Sequence, residues 1–353
     1  MPTRSFLCRI LFVLGIVTSD LDQWTWISNY SQDYIGNPFL LPSDPFEWLL
    51  GDPTFVDISG SRFVFANEVF HGILSYRLDP DSSAEEFKYK KLGAAVGKPG
   101  AVRPYCHVED GILYLFWEQY TLRSFYGNSR MMMKTGRVKE DGELEWNKDE
   151  VVVLEPELDW ETEGSERVGN PFVFFHEKDE TYYLYYSASS QVLPDSKVAE
   201  PIFLGLATSD NLWGPWTRVS DMPMVVNGLN IEGEETMGIG SLKLVKGIDQ
   251  NYDHLVGLIN RVTKNSKTGA TGSTISMVES TDFGLTWNTV EPHLITPTLV
   301  ENDWKEAYVY GFDTGLDLDD DEYILVMYNA RDGWAHAKET VGATRIKKDM
   351  FVS

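Results

Sequence analysis

The chain has 353 residues, of which 42% are hydrophobic and 13% aromatic, so it carries enough apolar side chains for a large core and is not a disordered polypeptide. Its formal net charge of −24 argues against nucleic acid and anionic membrane surfaces as partners, because both attract basic proteins. A neutral partner is more compatible with this charge.

The N-terminus has the pattern of a secretory signal. Arg4 and Arg9 precede the apolar run 10–17, and the small residues of Val17-Thr18-Ser19 follow as a cleavage site. The run is too short to span a bilayer, and a β-strand or an interfacial anchor is the alternative reading. We therefore expect residues 1–19 to be a signal peptide and the protein to be secreted, with a cytoplasmic location as the alternative. No later segment is long and apolar enough to cross a membrane.

Five strand openings recur along the remaining chain. They begin at Gly51, Val102, Gly169, Gly238 and Ala307, at steps of 51, 67, 69 and 69 residues. A repeat of this size built from short strands is typical of radial or stacked repetition. At the first opening, Asp52 precedes Pro53, and a residue before proline is biased towards an extended backbone. The sequence therefore predicts Asp52 in extended conformation where the first strand begins.

Each opening starts a unit of three or four short strands separated by turn residues. The predicted strands cover residues 54–56, 62–66, 73–78 and 87–92; 102–108, 112–119, 131–138 and 151–154; 171–175, 181–187, 202–208 and 216–219; 241–245, 254–260, 273–279 and 287–290; and 307–312, 322–329 and 340–346. The last unit lacks a fourth strand, which an N-terminal segment would supply to close a ring. The sequence predicts an all-β fold, a five-bladed β-propeller that forms one domain over residues 20–353.

Shorter repeats support this architecture. The second strands 111–117, 181–187 and 323–329 share one pattern of aromatic and aliphatic residues. Thr208-Ser-Asp-Asn-Leu-Trp213 ends a third strand, and Ser280-Thr-Asp-Phe-Gly-Leu-Thr-Trp287 matches the Asp-box, a hairpin tied by its aspartate. These motifs indicate a propeller-like fold and carry no chemistry.

The chain resembles the five-bladed propeller glycosidases, namely glycoside hydrolase family 43 and its relatives in families 32 and 117. The features that carry this resemblance are Asp52-Pro53 on a first inner strand, the repeated second strands and the segment 208–213. The resemblance covers about residues 36–346 as architecture, whereas the motif match is confined to short stretches. It implies that Asp52 is the general base or nucleophile. The family's second aspartate before proline is Asn170 here. The family's acid, a glutamate near the fourth inner strand, corresponds to a cluster at residues 232–235 that lacks the usual proline.

Glycoside cleavage requires two carboxyls on either side of one bond, one protonated and the other ionised. Inner strands of a propeller begin at one shared face, so carboxyls distant in sequence converge there. We expect Asp52 to be the base or nucleophile and Glu235 the acid, with Glu232 as the next candidate. The alternatives are that Asp52 only opens its strand and that the glutamates form a solvated acidic loop.

Other residues predicted near the pocket are candidates for substrate binding. They are Arg103, His107, Asn170, Asp195, Glu200, Trp304 and Arg331. Arg103 and Asn170 head their strands as Asp52 does, and Asp195 and Glu200 lie in an insertion, residues 192–201, that would overhang the pocket. Each has a structural alternative, a hydrogen bond to loop backbone or a place in the core. The acidic run 317–322 lacks the spacing of a calcium loop, and we expect neither a metal nor a cofactor.

Three classes of function remain open from the sequence. The first is a glycoside hydrolase acting on an oligo- or polysaccharide, and the second is a carbohydrate-binding propeller without catalysis, which Asn170 favours. The third is another carbohydrate-active enzyme, such as a transglycosylase, a phosphorylase or a sialidase-like enzyme. Arg103, Arg167 and Arg331 would suit the arginine triad of a sialidase, but the count of five units opposes that assignment. We expect a monomer.

Overall fold

The computed structural model describes residues 30–34, 37–42, 49–68, 70–83, 86–121, 128–250, 253–333 and 337–352. The predicted signal peptide, residues 1–19, lies outside these ranges. Within them the chain is almost entirely β-structure, with one short helix, α1 (Asp159–Thr162), and a 3-10 turn at Lys348–Phe351. The predicted all-β class is confirmed. No helix in the described part of the chain is long and apolar enough to span a bilayer.

The strands form five antiparallel groups that follow one another along the chain. They are β1 (Ser31–Asp33), β2 (Leu50–Ile58), β3 (Ser61–Glu68), β4 (Gly72–Leu78), β5 (Tyr89–Val96), β6 (Ala101–Glu109), β7 (Ile112–Tyr120), β8 (Ser129–Val138), β9 (Leu144–Trp146), β10 (Val151–Leu154), β11 (Val168–His176), β12 (Thr181–Ala188), β13 (Gln191–Val192), β14 (Ala199–Glu200), β15 (Phe203–Ser209), β16 (Thr217–Arg218), β17 (Val225–Asn227), β18 (Glu234–Leu244), β19 (Leu255–Asn265), β20 (Thr271–Ser280), β21 (Thr286–Ile295), β22 (Tyr308–Leu316), β23 (Tyr323–Arg331) and β24 (Glu339–Lys347).

The groups are the blades of a propeller. Blade 1 is β2 to β5, blade 2 is β6 to β10, blade 3 is β11, β12, β15 and β16, and blade 4 is β18 to β21 with β17 added in parallel to β21. Blade 5 is β22 to β24, and β1 pairs with β24 as its fourth strand, Ser31 opposite Ile346. The prediction that an N-terminal segment completes the last blade is confirmed.

The inner strands β2, β6, β11, β18 and β22 form a closed ring. Each contacts the next, and β22 contacts β2. Four of them begin within two residues of the predicted positions. Strand β18 instead begins at Glu234, four residues before the predicted opening at Gly238, because its hairpin with β19 extends until Glu234 lies opposite Asn265.

Every inner strand has a break in its ladder close to its start. The pairing register shifts between Gly51 and Thr54 in β2, and shifts at the corresponding place in β6, β11, β18 and β22. In the first three the residue before proline has a positive φ, 49° at Asp52, 53° at Arg103 and 50° at Asn170. The prediction of an extended Asp52 is therefore wrong. A bulge removes this position from the ladder and re-aims its side chain, which overrides the bias imposed by proline.

The bulges are held by amide side chains of the preceding blade. The backbone N–H of Asp52 donates to Oδ1 of Asn329 on β23 at 3.1 Å, and that of Arg103 donates to Oδ1 of Asn67 on β3 at 2.8 Å. A residue with a positive φ costs conformational energy, and these bonds offset part of that cost. The bulges at Asp52 and Arg103 are thus fixed by the neighbouring blade.

The apolar core lies between the blades, where the large side chains of successive sheets pack together. Trp117 in blade 2 and Trp287 in blade 4 are fully buried. Trp287 ends the Asp-box, in which the Asp282 carboxylate accepts from the backbone N–H of Thr286 at 2.9 Å and from its hydroxyl at 2.6 Å. The motif ties a hairpin and lies away from the propeller axis, as its structural reading predicts.

Candidate active site

One pocket lies where the heads of the five inner strands meet. The strand-head residues that line it are Asp52, Arg103, Asn170, Gly240, Tyr310 and Gly311. Asn329 and Glu339 contribute from the second and third strands of blade 5, and Glu200 from the insertion in blade 3. The cavity has a volume of about 50 Å³. All five blades therefore contribute to one small polar pocket.

Asp52 is half-buried on its bulge at the side of this pocket. Burial raises the pKa of its carboxyl, while the positive charges of Arg103 and Lys243 act in the opposite direction. Its Oδ1 lies so near Gly311 that a Cβ on that glycine would be 2.3 Å away. Only glycine fits there, so β22 makes room for the Asp52 side chain.

Glu200 enters the pocket from β14. Its side chain is 95% buried, and within the described residues no side chain or backbone group forms a hydrogen bond to its carboxyl. Burial raises its pKa to about 7, the nearby Arg103 and Arg167 lower it, and the charges of Glu339 and Asp52 raise it further. This carboxyl therefore holds its proton in about half of the molecules at neutral pH and in nearly all of them below about pH 5.

Glu339 is a third carboxyl, placed at the start of β24. Its Oε2 accepts a hydrogen bond from Nδ2 of Asn329 at 3.2 Å, and its Oε1 lies 3.6 Å from Nε of Arg331. Burial raises the pKa of Glu339 to about 7, Arg331 lowers it, and the charge of Asp52 raises it. Glu339 is not among the residues predicted from the sequence, since no motif marks Lys338-Glu339-Thr340, and its only signal is an acidic residue at the start of a third strand.

The insertion between β12 and β15, residues 189–201, is held firmly against blades 4 and 5. The Asp195 carboxylate accepts from the backbone N–H of Thr271 at 2.7 Å and also from its hydroxyl. Gln191 donates to the carbonyl of Met237 at 2.5 Å, and Leu193 is fully buried. These contacts fix the position of Glu200 relative to the ring.

Arg103 is part of an ionic network in the pocket wall. Its Nη1 donates to Glu118 at 3.1 Å and to the hydroxyl of Tyr120 at 2.7 Å. Glu118 also accepts two hydrogen bonds from Arg167, at 2.8 and 3.2 Å, and the side chains of Glu118 and Arg167 are both buried. The guanidinium of Arg103 is thus oriented by its neighbours and shares the negative charge of Glu118 with Arg167.

The pocket has a packed floor along the axis of the ring. Thr54 and Asp313 are fully buried below it, and the Asp313 carboxylate accepts from the Thr54 hydroxyl and from Nζ of Lys246, each at 2.7 Å. Lys243 is 95% buried beside them, and burial lowers its pKa to about 8. These side chains separate the pocket from a second cavity of about 340 Å³ at the other end of the inner strands.

The structure brings together four of the residues predicted for the site, Asp52, Arg103, Asn170 and Glu200. Asn170 is 91% buried, and its amide donates to the Ser187 hydroxyl at 2.8 Å. Asp195 lies in the insertion but binds Thr271 and does not line the pocket.

The two glutamates predicted as acids lie elsewhere. Glu232 is exposed, and the exposed carboxylate of Glu235 lies 3.4 Å from Nζ of Lys264. The pocket is reached at Gly240, five residues further along β18, which corresponds to roughly 16 Å of strand. Because β18 begins earlier than the sequence predicts, this acidic cluster stands above the pocket and does not line it.

Three other predicted residues are also outside the pocket. His107 lines the second cavity, and burial lowers the pKa of its imidazole to about 4. Trp304 packs on Tyr328 in blade 5, with ring centres 5.3 Å apart. Arg331 does not line the pocket but lies next to Glu339, which does. Among the described residues, no group of three or more histidine, cysteine, aspartate and glutamate side chains is arranged to hold a metal ion.

No protein-family model and no curated protein matches this sequence. Solved structures are similar over most of the chain. An α-L-arabinofuranosidase from Podospora anserina, in complex with cellotriose, is 13% identical with a TM-score of 0.56, over 90% of this chain and 98% of its own. A GH43_1 enzyme from Xanthomonas citri, complexed with xylose, is 10% identical with a TM-score of 0.50, over 92% and 91%.

An N-acetylgalactosamine deacetylase from F. plautii, in complex with blood group B trisaccharide, is 11% identical with a TM-score of 0.55, over 90% of this chain and 95% of its own. At such identities the similarity concerns the fold, which is that of the β-propeller glycoside hydrolases, as the resemblance in the sequence predicts. Because a deacetylase shares it, the reaction has to be argued from the pocket.

Proposed function

We propose that the protein is a glycoside hydrolase that cleaves an oligo- or polysaccharide, with Asp52 as base or nucleophile and Glu200 as proton donor. The observation that carries the proposal is the pocket itself: Asp52, Glu200 and Glu339 converge there, and Glu200 is buried without a hydrogen-bond partner in the described part of the chain. One carboxyl that keeps its proton beside another that is ionised is the requirement for glycoside cleavage.

The roles follow from the surroundings of each carboxyl. Glu200, with a pKa of about 7, is protonated in about half of the molecules at pH 7 and in more of them at lower pH, and it donates this proton to the departing oxygen. Arg103 and Lys243 act to keep Asp52 ionised against its burial, so that it attacks the anomeric carbon or activates a water. Glu339, oriented by Asn329, has a pKa of about 7 as well, and its ionised fraction favours the protonated form of Glu200. Whether the product anomer is retained or inverted distinguishes the two roles of Asp52.

A carbohydrate-binding propeller without catalysis is the second candidate. The observation in its favour is Asn170, which lies in the pocket where the glycosidase pattern has a carboxylate and whose amide is bound to Ser187. In that case the three carboxyls would only accept hydrogen bonds from sugar hydroxyls.

Turnover on a panel of nitrophenyl glycosides and plant or algal polysaccharides tests both candidates. We expect a hydrolase to lose roughly 10²–10⁴ in kcat on Asp52→Asn and on Glu200→Gln. The matched control is Glu235→Gln, an exposed carboxyl outside the pocket, which should retain wild-type rates. Unchanged turnover in either pocket variant removes that residue from the mechanism, and glycan binding without turnover by the wild type favours the binding module.

We further propose that residues 20–353 act as one secreted, monomeric domain after removal of residues 1–19. The support is the N-terminal sequence pattern and the use of Ser31–Asp33 as a strand of blade 5, which leaves the proposed cleavage site ahead of the propeller. Secretion of this chain from a eukaryotic or bacterial host, followed by N-terminal sequencing, tests the proposal, and secreted material that begins at Met1 contradicts it.

A further inference from the structure

The insertion at residues 189–201 closes one side of the pocket. Val198 and Glu200 line the cavity from this segment, whereas the other lining residues belong to the blade strands. Asp195 clasps Thr271 on blade 4, and Leu193 packs with Tyr308 and Tyr310 of blade 5. The segment therefore bridges blades 3, 4 and 5 as a fixed wall rather than a mobile lid.

The opposite end of the pocket is closed as well. Below Asp52 the axis of the ring is filled by Thr54, Asp313 and Lys243, which are at least 95% buried, and the Asp313 carboxylate accepts hydrogen bonds from Thr54 and from Lys246. A polysaccharide chain has no route through this floor. A sugar that places its anomeric carbon beside Asp52 must direct its other hydroxyls towards closed walls.

The size of the cavity sets a second limit. Its volume of about 50 Å³ corresponds to on the order of four water positions, at roughly 10–15 Å³ each. This space takes no more than one sugar ring and leaves no room for a second ring on the far side.

The charge of the cavity sets a third limit. Asp52, Glu200 and Glu339 all face it, and the nearest guanidinium, that of Arg103, is already paired with Glu118. A uronic acid or a sulfated sugar would bring its negative charge against the Asp52 carboxylate, and as the pH rises through about 7 also against Glu200 and Glu339, which is unfavourable at short range in a buried site.

We propose that the insertion at residues 189–201 makes this an exo-acting enzyme, which accepts a single neutral, unsubstituted sugar at the non-reducing end of a glycan and releases it as a monosaccharide. The inference rests on the proposed function and adds the mode of attack to it. The step is hydrolysis: the glycosidic C–O bond breaks, a bond to a water oxygen forms at the anomeric carbon, and the leaving oxygen takes the proton of Glu200. The water gives up one proton, to Asp52 if Asp52 is the base or back to Glu200 if Asp52 is the nucleophile. Internal bonds and substituted terminal sugars are excluded by the walls.

The first test follows products with time. Linear oligosaccharides of neutral pentoses, fluorescently labelled at the reducing end, are incubated with the wild-type enzyme and resolved by capillary electrophoresis. We expect ladders that shorten by one sugar at a time. Methylation of the hydroxyls on the terminal sugar should lower kcat/KM at least about 100-fold, because the walls clash with it. Internal fragments at early times overturn the exo inference and leave the proposed hydrolase intact.

The second test removes the hydrogen bonds between Asp195 and Thr271 that hold the insertion against blade 4. Asp195→Ala, and the milder Thr271→Val, should raise the ratio of kcat/KM on methylated to unmethylated substrate at least about tenfold, since a loosened wall clashes less. Val192→Thr is the matched control, because its side chain is 58% exposed within the same insertion, and it should keep the wild-type ratio. An unchanged ratio in both clasp variants, each shown to be folded by circular dichroism, contradicts the role of the insertion.

A third test needs no turnover. Saturation-transfer NMR on the Asp52→Asn variant, with arabinose and xylose oligosaccharides, reports which sugar ring contacts the protein. Contact concentrated on the non-reducing terminal ring is expected, and equal contact along internal rings overturns the inference. Absence of both turnover and terminal contact overturns it together with the proposed function.

Discussion

Replacing Glu200 by glutamine is expected to make the protein more stable at alkaline pH while it abolishes most of the activity. The folded protein holds the Glu200 proton up to a pKa of about 7, whereas the ordinary value is 4.5. Between these two values the folded state binds more protons than the unfolded state, so the free energy of unfolding falls as the pH rises. Glutamine does not titrate, so the free energy of unfolding of the variant does not fall over this pH range.

The magnitude follows from the pKa difference of about 2.5, which at about 1.4 kcal/mol for each pH unit gives about 3 kcal/mol above pH 7. Unfolding entropies near 2 cal/mol/K per residue amount to on the order of 0.7 kcal/mol/K for 353 residues. The Tm of the Glu200→Gln variant should therefore exceed that of the wild type by roughly 4 °C at pH 8. Below pH 4.5 the difference should vanish, because Glu200 is then protonated in both states.

Differential scanning calorimetry at pH 4.5 and pH 8, with kcat measured on the same preparations, checks both halves of the prediction. Glu235→Gln serves as the control, since its carboxylate is exposed and the change should alter stability by less than about 0.5 kcal/mol. A Glu200→Gln variant that is equally stable or less stable at pH 8 would show that the carboxyl is ionised and favourably paired in the folded protein. The assignment of Glu200 as proton donor would then fail.

Other perturbations give further outcomes. In wild type, kcat/KM should fall as the pH rises through about 7, because Glu200 loses its proton, and a profile flat to pH 9 contradicts this. Gly311→Ala puts a Cβ 2.3 Å from Oδ1 of Asp52, so kcat should drop at least about tenfold, as for a misplaced catalytic group, with the fold intact by circular dichroism. Asp313→Ala removes the partner of Lys246 and should lower the free energy of urea unfolding by about 2–3 kcal/mol, with a loss under about 1 kcal/mol as the opposing result. Deleting residues 1–36 removes β1 and should lower Tm by roughly 3–5 °C, whereas deleting residues 1–19 should leave Tm unchanged.

The fold was largely predictable because its signals are local and repeated. Strand lengths, turn residues and the step between openings are all properties of short segments, and they locate four of the five inner strands. The conformation of Asp52 was not predictable in this way. Its positive φ depends on a bulge and on the Asn329 amide, which lies 277 residues away in the chain.

The site residues were predictable only where they lie at the starts of the inner strands. Asp52, Arg103 and Asn170 occupy equivalent positions of the repeat, so the repeat itself brings them together. Glu200 was expected to overhang the pocket but not to act as its acid, since its burial depends on how the insertion is clasped to blade 4. Glu339 lies at the edge of a third strand, where no periodicity separates a pocket carboxyl from a solvated one. Glu235 was misplaced because the length of β18 depends on its pairing with β19.

Because β1 pairs with β24, blade 5 is complete only when two strands far apart in the chain have both been synthesised. Ser31–Asp33 can find their partner only after Glu339–Lys347 have been made, which takes roughly 15–60 s at about 5–20 residues per second. Glu339 belongs to that last strand, so the pocket lacks one carboxyl until then. Chains that end before Glu339 therefore have an incomplete pocket, and a sheet edge stays open to other chains for the whole of that interval.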